Sequence, residues 1–194
     1  MSIGLKFYKL IKRVRDKLAM HWIRGGFYDF GKGSILVMPF RSGNEHWISI
    51  GNRVFVGSNT WIQVVSDDCP GIVPVIVIED DVSISGDCTI TAVSGVTIHK
   101  GALIARFVHI SDHSHGTRDP DLPIKSQKLS KISAVTIGEG AWLGHGVVVC
   151  PGVTIGRNAV IGANSVVRTD VPAGCIAVGA PARIVRRPGT SVNI

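Results

Sequence analysis

Aliphatic residues return at every sixth position along most of this chain. From Ile137 the sequence runs IGEGAW LGHGVV VCPGVT IGRNAV IGANSV VRTDVP, six hexads in one frame that open on Ile137, Leu143, Val149, Ile155, Ile161 and Val167. The same frame fits pairs of hexads opening at Ile50 and Val56, at Ile78 and Ile84, and at Ile98 and Ile104, which makes twelve. Every fifth position is small or β-branched, from Val54 and Thr60 through to Ser165 and Val171. Ten of the twelve fourth positions are Gly, Asn or Asp; Arg53 and Phe107 are the exceptions.

A six-residue period is too short for a helical repeat or a βαβ unit. It fits a short strand that points its first residue inward, followed by a corner where Gly, Asn or Asp tolerates a positive φ. Each hexad then makes one face of a prism, and three faces complete a coil that hydrogen-bonds to the next through parallel ladders. The expected fold class is therefore all-β, a parallel β-helix. An ordinary sandwich of alternating strands would not hold one frame across six consecutive hexads. The frame breaks three times: Ile62 to Ile78 is four residues longer than two hexads, Ile90 to Ile98 two longer than one, and Ile110 to Ile137 nine longer than three. The last break predicts a protruding loop near 111–134, and a loop of that length on a regular solenoid is more often functional than idle.

Before the hexads the period changes. In LKFYKLIKRVRDKLAMHWIR, residues 5–24, Phe7, Leu10, Ile11, Val14 and Leu18 recur at helical spacing, with Lys6, Lys9, Lys12, Arg13, Arg15, Lys17 and Arg24 mostly around the other face. Such a basic amphipathic helix either caps the open end of the β-helix against edge pairing or lies on an anionic membrane, and the two roles are compatible. The expected organisation is a helical segment over 1–28, the β-helix over 29–187 and a tail over 188–194.

Charge and composition narrow the function classes. The net charge of +7 points to an anionic partner such as nucleic acid, a membrane surface or a phosphorylated small molecule. No helix-turn-helix, RNP or zinc-finger pattern accompanies it, so nucleic acid is not expected. Cys69, Cys88, Cys150 and Cys175 are widely separated, with no CxxC pair, and read as reduced fillers. No apolar run approaches a membrane span and the N-terminus lacks a signal-peptide pattern. The expected location is the cytoplasm, with residues 5–24 able to touch the inner face of the membrane.

The loop carries the candidate chemistry. Residues 110–119 read ISDHSHGTRD, and a histidine on a protruding loop suits general-base work near neutral pH. Around it stand Ile110-Ser111-Asp112-His113, then Ala141-Trp142-Leu143-Gly144, Pro151-Gly152-Val153-Thr154-Ile155-Gly156, and Ile161 through Val167 to Gly179-Ala180-Pro181-Ala182-Arg183. Over roughly residues 48–186 this series resembles the hexapeptide-repeat acyltransferases, whose β-helix is left-handed. The Asp-His-x-His-Gly form of residues 112–116 is most similar to the sugar O-acetyltransferases of bacterial exopolysaccharide and O-antigen pathways.

The resemblance implies acetyl-CoA as acyl donor, no metal, a carbohydrate hydroxyl as acceptor and a homotrimer with active sites between subunits. It makes His113 the base, with Asp112 orienting a ring, His115 shaping the loop or touching the acceptor, and the backbone N–H of His145 as oxyanion donor. Trp142, Gly144, Ala163, Arg168 and Thr169 would meet coenzyme A, and Arg183, Arg186 and Arg187 could pair with its phosphates. Ser85 and Val93 stand where galactoside and maltose acetyltransferases carry Asn and Asp, which argues against those free sugars. Glu45, Trp47, Trp61 and Asp87 are the acceptor-site candidates by residue type. The alternatives are N-acetylation of an amino sugar, a hydratase of the carbonic anhydrase type holding zinc through histidines among His109, His113, His115 and His145, and a noncatalytic scaffold.

Overall fold

Three faces of parallel strands wind around one aliphatic stack. A computed structural model describes residues 3–65 and 73–189; Cys69 and most of the expected C-terminal tail lie outside them. Face 1 runs from Asp29–Phe30 through Ile48–Ile50, Ile76–Ile78, Val96–Ile98 and Val135–Ile137 to Thr154–Ile155. Face 2 runs from Ile35–Leu36 through Trp142–Leu143 and Val160–Ile161 to Ile176–Val178, where Arg183–Arg186 pairs antiparallel and ends the ladder. Face 3 comprises Arg41–Gly43, Trp61–Val64, Thr89–Ala92, His109–Ser111, Val148–Val149 and Val166–Val167. The chain visits the faces in that order coil after coil, the parallel β-helix expected from the period, and its hand is the left one that the resemblance implies.

The hexad positions behave as their chemistry requires. Ile50, Ile78, Ile98, Ile137 and Ile155 stack in register, each fully buried, and fully burying such a side chain is worth about 1.5–3 kcal/mol. All twelve fifth positions are buried, including Thr60, whose Oγ1 donates to the Gly57 carbonyl at 2.9 Å, and Ser165, whose Oγ accepts the Gly179 amide at 3.0 Å. Eleven of the twelve fourth positions have positive φ, and Arg53 (54°) and Phe107 (61°) adopt it despite their side chains. The corner geometry overrides residue preference there, at a cost of about 1–2 kcal/mol each.

A coil without counted hexads stands inside the expected 29–187 bounds: Asp29–Phe30, Ile35–Leu36 and Arg41–Gly43 pair with the coil that starts at Ile48, although Phe30 and Ser42 break the aliphatic pattern. The frame breaks are not extra faces: each joins a face 3 strand to the next face 1 strand, so against one hexad the spacings are longer by ten, two and twenty-one residues, and the described residues of the breaks lie on one edge of the prism.

Helix α1 (Ile3–Ile23) crosses the start of face 2. Asp16 and Met20 are its buried residues; the Leu36 amide donates to Met20 Sδ at 3.4 Å and Arg15 Nη2 to the Met38 carbonyl at 3.0 Å.

Candidate active site

The edge between faces 3 and 1 is where strand ends give way to irregular backbone. At the end of His109–Ser111, Asp112 is fully buried and its carboxylate is surrounded by donors. Oδ1 accepts the Val93 amide at 2.9 Å, and Oδ2 accepts the Ser94 and Gly95 amides at 2.7 Å each. Those amides are available because the corner over 93–95 is two residues longer than a hexad allows. The remaining partner of Oδ1 is His113 Nδ1, at 2.8 Å. A carboxylate can only accept, so Nδ1 carries the hydrogen and Nε2 is left as the acceptor of the ring. The fixed carboxylate thus sets both the tautomer and the orientation of His113.

His113 lines a groove of about 350 Å³ together with Trp61, Gln63, Thr89, Thr91, His109, Ser111, His115 and Leu129. Most of these are the outward residues of face 3, alternating with core residues along each strand. The long loop folds back beside them. Ser114 and Ser130 exchange backbone hydrogen bonds at 2.8 and 2.7 Å, and Gln127 Nε2 donates to the Asp119 and Leu122 carbonyls at 2.7 and 3.0 Å. Thr91 and Ser111 are buried in consequence. His115 is exposed, and its carbonyl accepts the Ser130 hydroxyl at 3.0 Å. Part of the His109 surface stays open, yet desolvation and then the neighbouring His113 hold its pKa below the ordinary imidazole value.

The other residues singled out from sequence stand elsewhere. Trp142 is exposed on face 2, while Gly144, His145 and Ala163 occupy the edge between faces 2 and 3. Gly144 is a packing requirement: a Cβ there would lie 2.7 Å from the Ala163 amide nitrogen of the next coil. The His145 ring stands edge-on to Phe107, centroids 5.1 Å apart, and among the described residues its amide donates to no other group. Arg183 and Arg186 are exposed on the strand that closes face 2. Only Arg168 and Thr169 follow face 3 onto the edge that carries His113. Within one chain, His113 and the group at Trp142, Gly144, His145 and Ala163 are separated by the width of face 3.

The four histidines do not form one cluster, since His145 stands on the far edge and His113 Nδ1 is committed to Asp112. Among the described residues no three metal-ligating side chains come together. Of the acceptor candidates, Trp61 reaches the groove, with the Arg41 guanidinium 5.1 Å above its ring. Trp47 is buried in the core, and Glu45 accepts the Ser42 hydroxyl at 2.6 Å. Asp87 pairs with Arg106 and Asn59 on the other edge, and those partners, Arg106 foremost, hold its pKa below the ordinary carboxylate value. Ser85 lies on that edge too, and Val93 contributes its amide to Asp112. The sequence reading missed the amide nest at 93–95, the groove residues Gln63, Thr89, Thr91 and Leu129, and the Phe107–His145 contact. Phe107 had a visible signal in its unusual fourth position; the nest had none, being backbone.

Residues 134–169 match the family described as bacterial transferase hexapeptide (six repeats). The chain is 34% identical over 164 residues to nodulation protein L of Rhizobium meliloti, covering 84% of this chain and 72% of that protein. It is 39% identical over 120 residues to WbbJ of Escherichia coli K12, which is named for O-acetyl transfer in lipopolysaccharide biosynthesis, and 33% identical over 183 residues to Rv3034c of Mycobacterium tuberculosis, named as an acetyltransferase. Those matches cover 58% and 94% of this chain, which spans 61% and 56% of the two relatives' lengths. Among solved structures, the N-acyltransferase AntD of Bacillus cereus, in complex with dTDP and 3-hydroxybutyryl-CoA, superposes with a TM-score of 0.73 at 19% identity over 87% of each chain; this likeness concerns the fold.

Proposed function

The chain belongs to the hexapeptide-repeat transferase family, and from that premise we propose that it transfers an acetyl group from acetyl-CoA to a carbohydrate hydroxyl, in surface polysaccharide or glycoconjugate synthesis. The observation that carries this reading is the Asp112–His113 pair, a buried carboxylate held by three backbone amides and holding an imidazole at a groove. His113 Nε2 takes the proton of the acceptor hydroxyl as its oxygen attacks the thioester carbon; the C–S bond then breaks and the imidazolium returns that proton to the departing sulfur, leaving an ester and the free thiol of coenzyme A. General-base assistance of this kind is worth about 10²–10⁴-fold in rate. Asp112 orients the ring and stabilises the imidazolium that forms.

The groove beside His113 suits a sugar, since aromatic Trp61 stands there with the hydrogen-bonding side chains of Gln63, Thr89 and Thr91. The surface around Trp142 suits the acyl donor. An exposed indole can flank the pantetheine arm, the His145 amide can meet the developing oxyanion, and exposed Arg183 and Arg186 can pair with phosphates. Because the two surfaces lie on different edges of one prism, the complete site takes His113 from one copy and the Trp142 side from its neighbour, in a closed trimer.

The test is acetyl-CoA consumption measured against free, nucleotide-linked and lipid-linked sugars, amino sugars included. An acceptor with a free hydroxyl should be turned over, and His113→Ala should lower that rate by about 10²–10⁴-fold without changing the melting transition. Turnover confined to amino sugars would move the reaction to nitrogen. No turnover of any acceptor, or a variant as active as the wild type, would overturn the proposal.

A further inference from the structure

The amphipathic pattern of α1 is turned away from the body of the protein. At about 100° per residue, Phe7, Leu10, Ile11, Val14, Leu18 and Trp22 fall within one sector of roughly 120°. The side that docks on the first coil is the opposite one, carrying buried Asp16 and Met20 with partly buried Ala19 and Ile23. All six stripe residues are exposed, Phe7 at 64% and Trp22 at 83%. A helix that served only to cap the prism would point these side chains inward. Here the inward contacts are a salt-bridged aspartate and a methionine sulfur.

Cations border the stripe as well as covering the far side of the helix, where Lys9 and Lys12 stand. Lys6, Arg13 and Lys17 border one flank and Arg15 the other, all exposed, while Asp16, the helix's one acidic residue, is buried against Arg15. Lys6, Arg13 and Lys17 can bury their stems beside the apolar stripe and keep their heads at the level of phosphate groups, whereas the Arg15 head is held by Asp16 and the Met38 carbonyl. At the base of the helix, Lys17, His21, Arg24 and Lys32 line a pocket of about 450 Å³ between α1 and the first coil, and no carboxylate shares it. Among the described residues no helix is long and apolar enough to cross a membrane. The stripe is therefore suited to lie in a membrane surface rather than to span the bilayer.

We propose that α1 seats this protein on an anionic lipid bilayer, its apolar stripe inserted among the acyl chains and the basic pocket at its base receiving a lipid phosphate. The inference is independent of the acyl-transfer reading. Charge complementarity selects the lipid surface over a second copy of the chain, since pairing two such stripes would bring the cationic borders together.

The experiment is co-sedimentation of the full chain with phosphatidylcholine vesicles containing phosphatidylglycerol, against phosphatidylcholine alone. The wild type should bind the anionic vesicles, weaken as salt is raised, and shift Trp22 emission to the blue on binding. Val14→Glu with Leu18→Glu alters exposed side chains only and should lower vesicle binding at least about tenfold with secondary structure and assembly mass unchanged. Lys17→Glu with Arg24→Glu should remove the preference for phosphatidylglycerol. The proposal fails if the wild type ignores anionic vesicles, if the stripe variant binds as well as the wild type, if the charge variant keeps the preference, or if the stripe variant changes the assembly mass, which would assign the stripe to another copy.

Discussion

Two kinds of edge run along this prism, and they handle polar groups in opposite ways. At the edges between faces 1 and 2 and between faces 2 and 3, the chain turns by the same short corner in coil after coil. Polar side chains there satisfy the neighbouring coil: Asn52 N–H donates to Asp80 Oδ1 at 2.8 Å, and Arg53 pairs with Asp81 at 2.6 Å. At the edge between faces 3 and 1 the repeat is interrupted, and the amides of Val93, Ser94 and Gly95 turn toward a carboxylate instead of a ladder. Regular corners use most of their hydrogen-bonding capacity in stacking, the His145 amide being an exception among the described residues. The interrupted one releases amides that fix Asp112, and through it His113.

Replacing Asp112 with Ala tests the interrupted edge most severely. It leaves the three amides without their acceptor and frees the His113 ring, so we expect a loss of about 2–3 kcal/mol in denaturant unfolding. Turnover should fall on the order of 10²-fold through misplacement of the base. An unchanged kcat would show that the ring needs no such anchor. On the regular edge the sign reverses. Phe107 holds a positive φ of 61° with a half-exposed ring, so Phe107→Gly should stabilise the fold by up to about 1 kcal/mol. A lower melting temperature would mean that its contact with His145 outweighs the strain. The smallest effect concerns His109, which should titrate by NMR with a midpoint below about 6.5. The neutral form is favoured in the fold, so a penalty is absent above the ordinary pKa and grows as pH falls through it. In His113→Ala the midpoint should move up, because His113 is one of the two causes of the depression; no movement would remove the electrostatic link between the rings.

The period of six made the prism legible, because aliphatic first positions and small fifth positions are the packing itself. The first coil lay inside the expected β-helix bounds but its hexads went unmarked, because Phe30 and Ser42 stand where aliphatics were sought and only Leu36 keeps the pattern. Spacing likewise made the insertions look like scattered breaks, since residue counting cannot tell an added face from a long corner. His113 stood out through its residue type and context. What positions it did not, because Val93, Ser94 and Gly95 act through their N–H groups, which any residue except proline supplies. For α1 both faces were legible from the spacing of apolar residues, and only the packing revealed which of them turns outward.

The strand Arg183–Arg186 runs backward against Ile176–Val178. With α1 lying over Ile35–Leu36 at the opposite extremity, the longest ladder begins and finishes inside its own molecule. A further coil stacked on the Arg183–Arg186 end would meet a strand running the wrong way, which discourages molecules from threading end to end into filaments and leaves them to meet flank to flank.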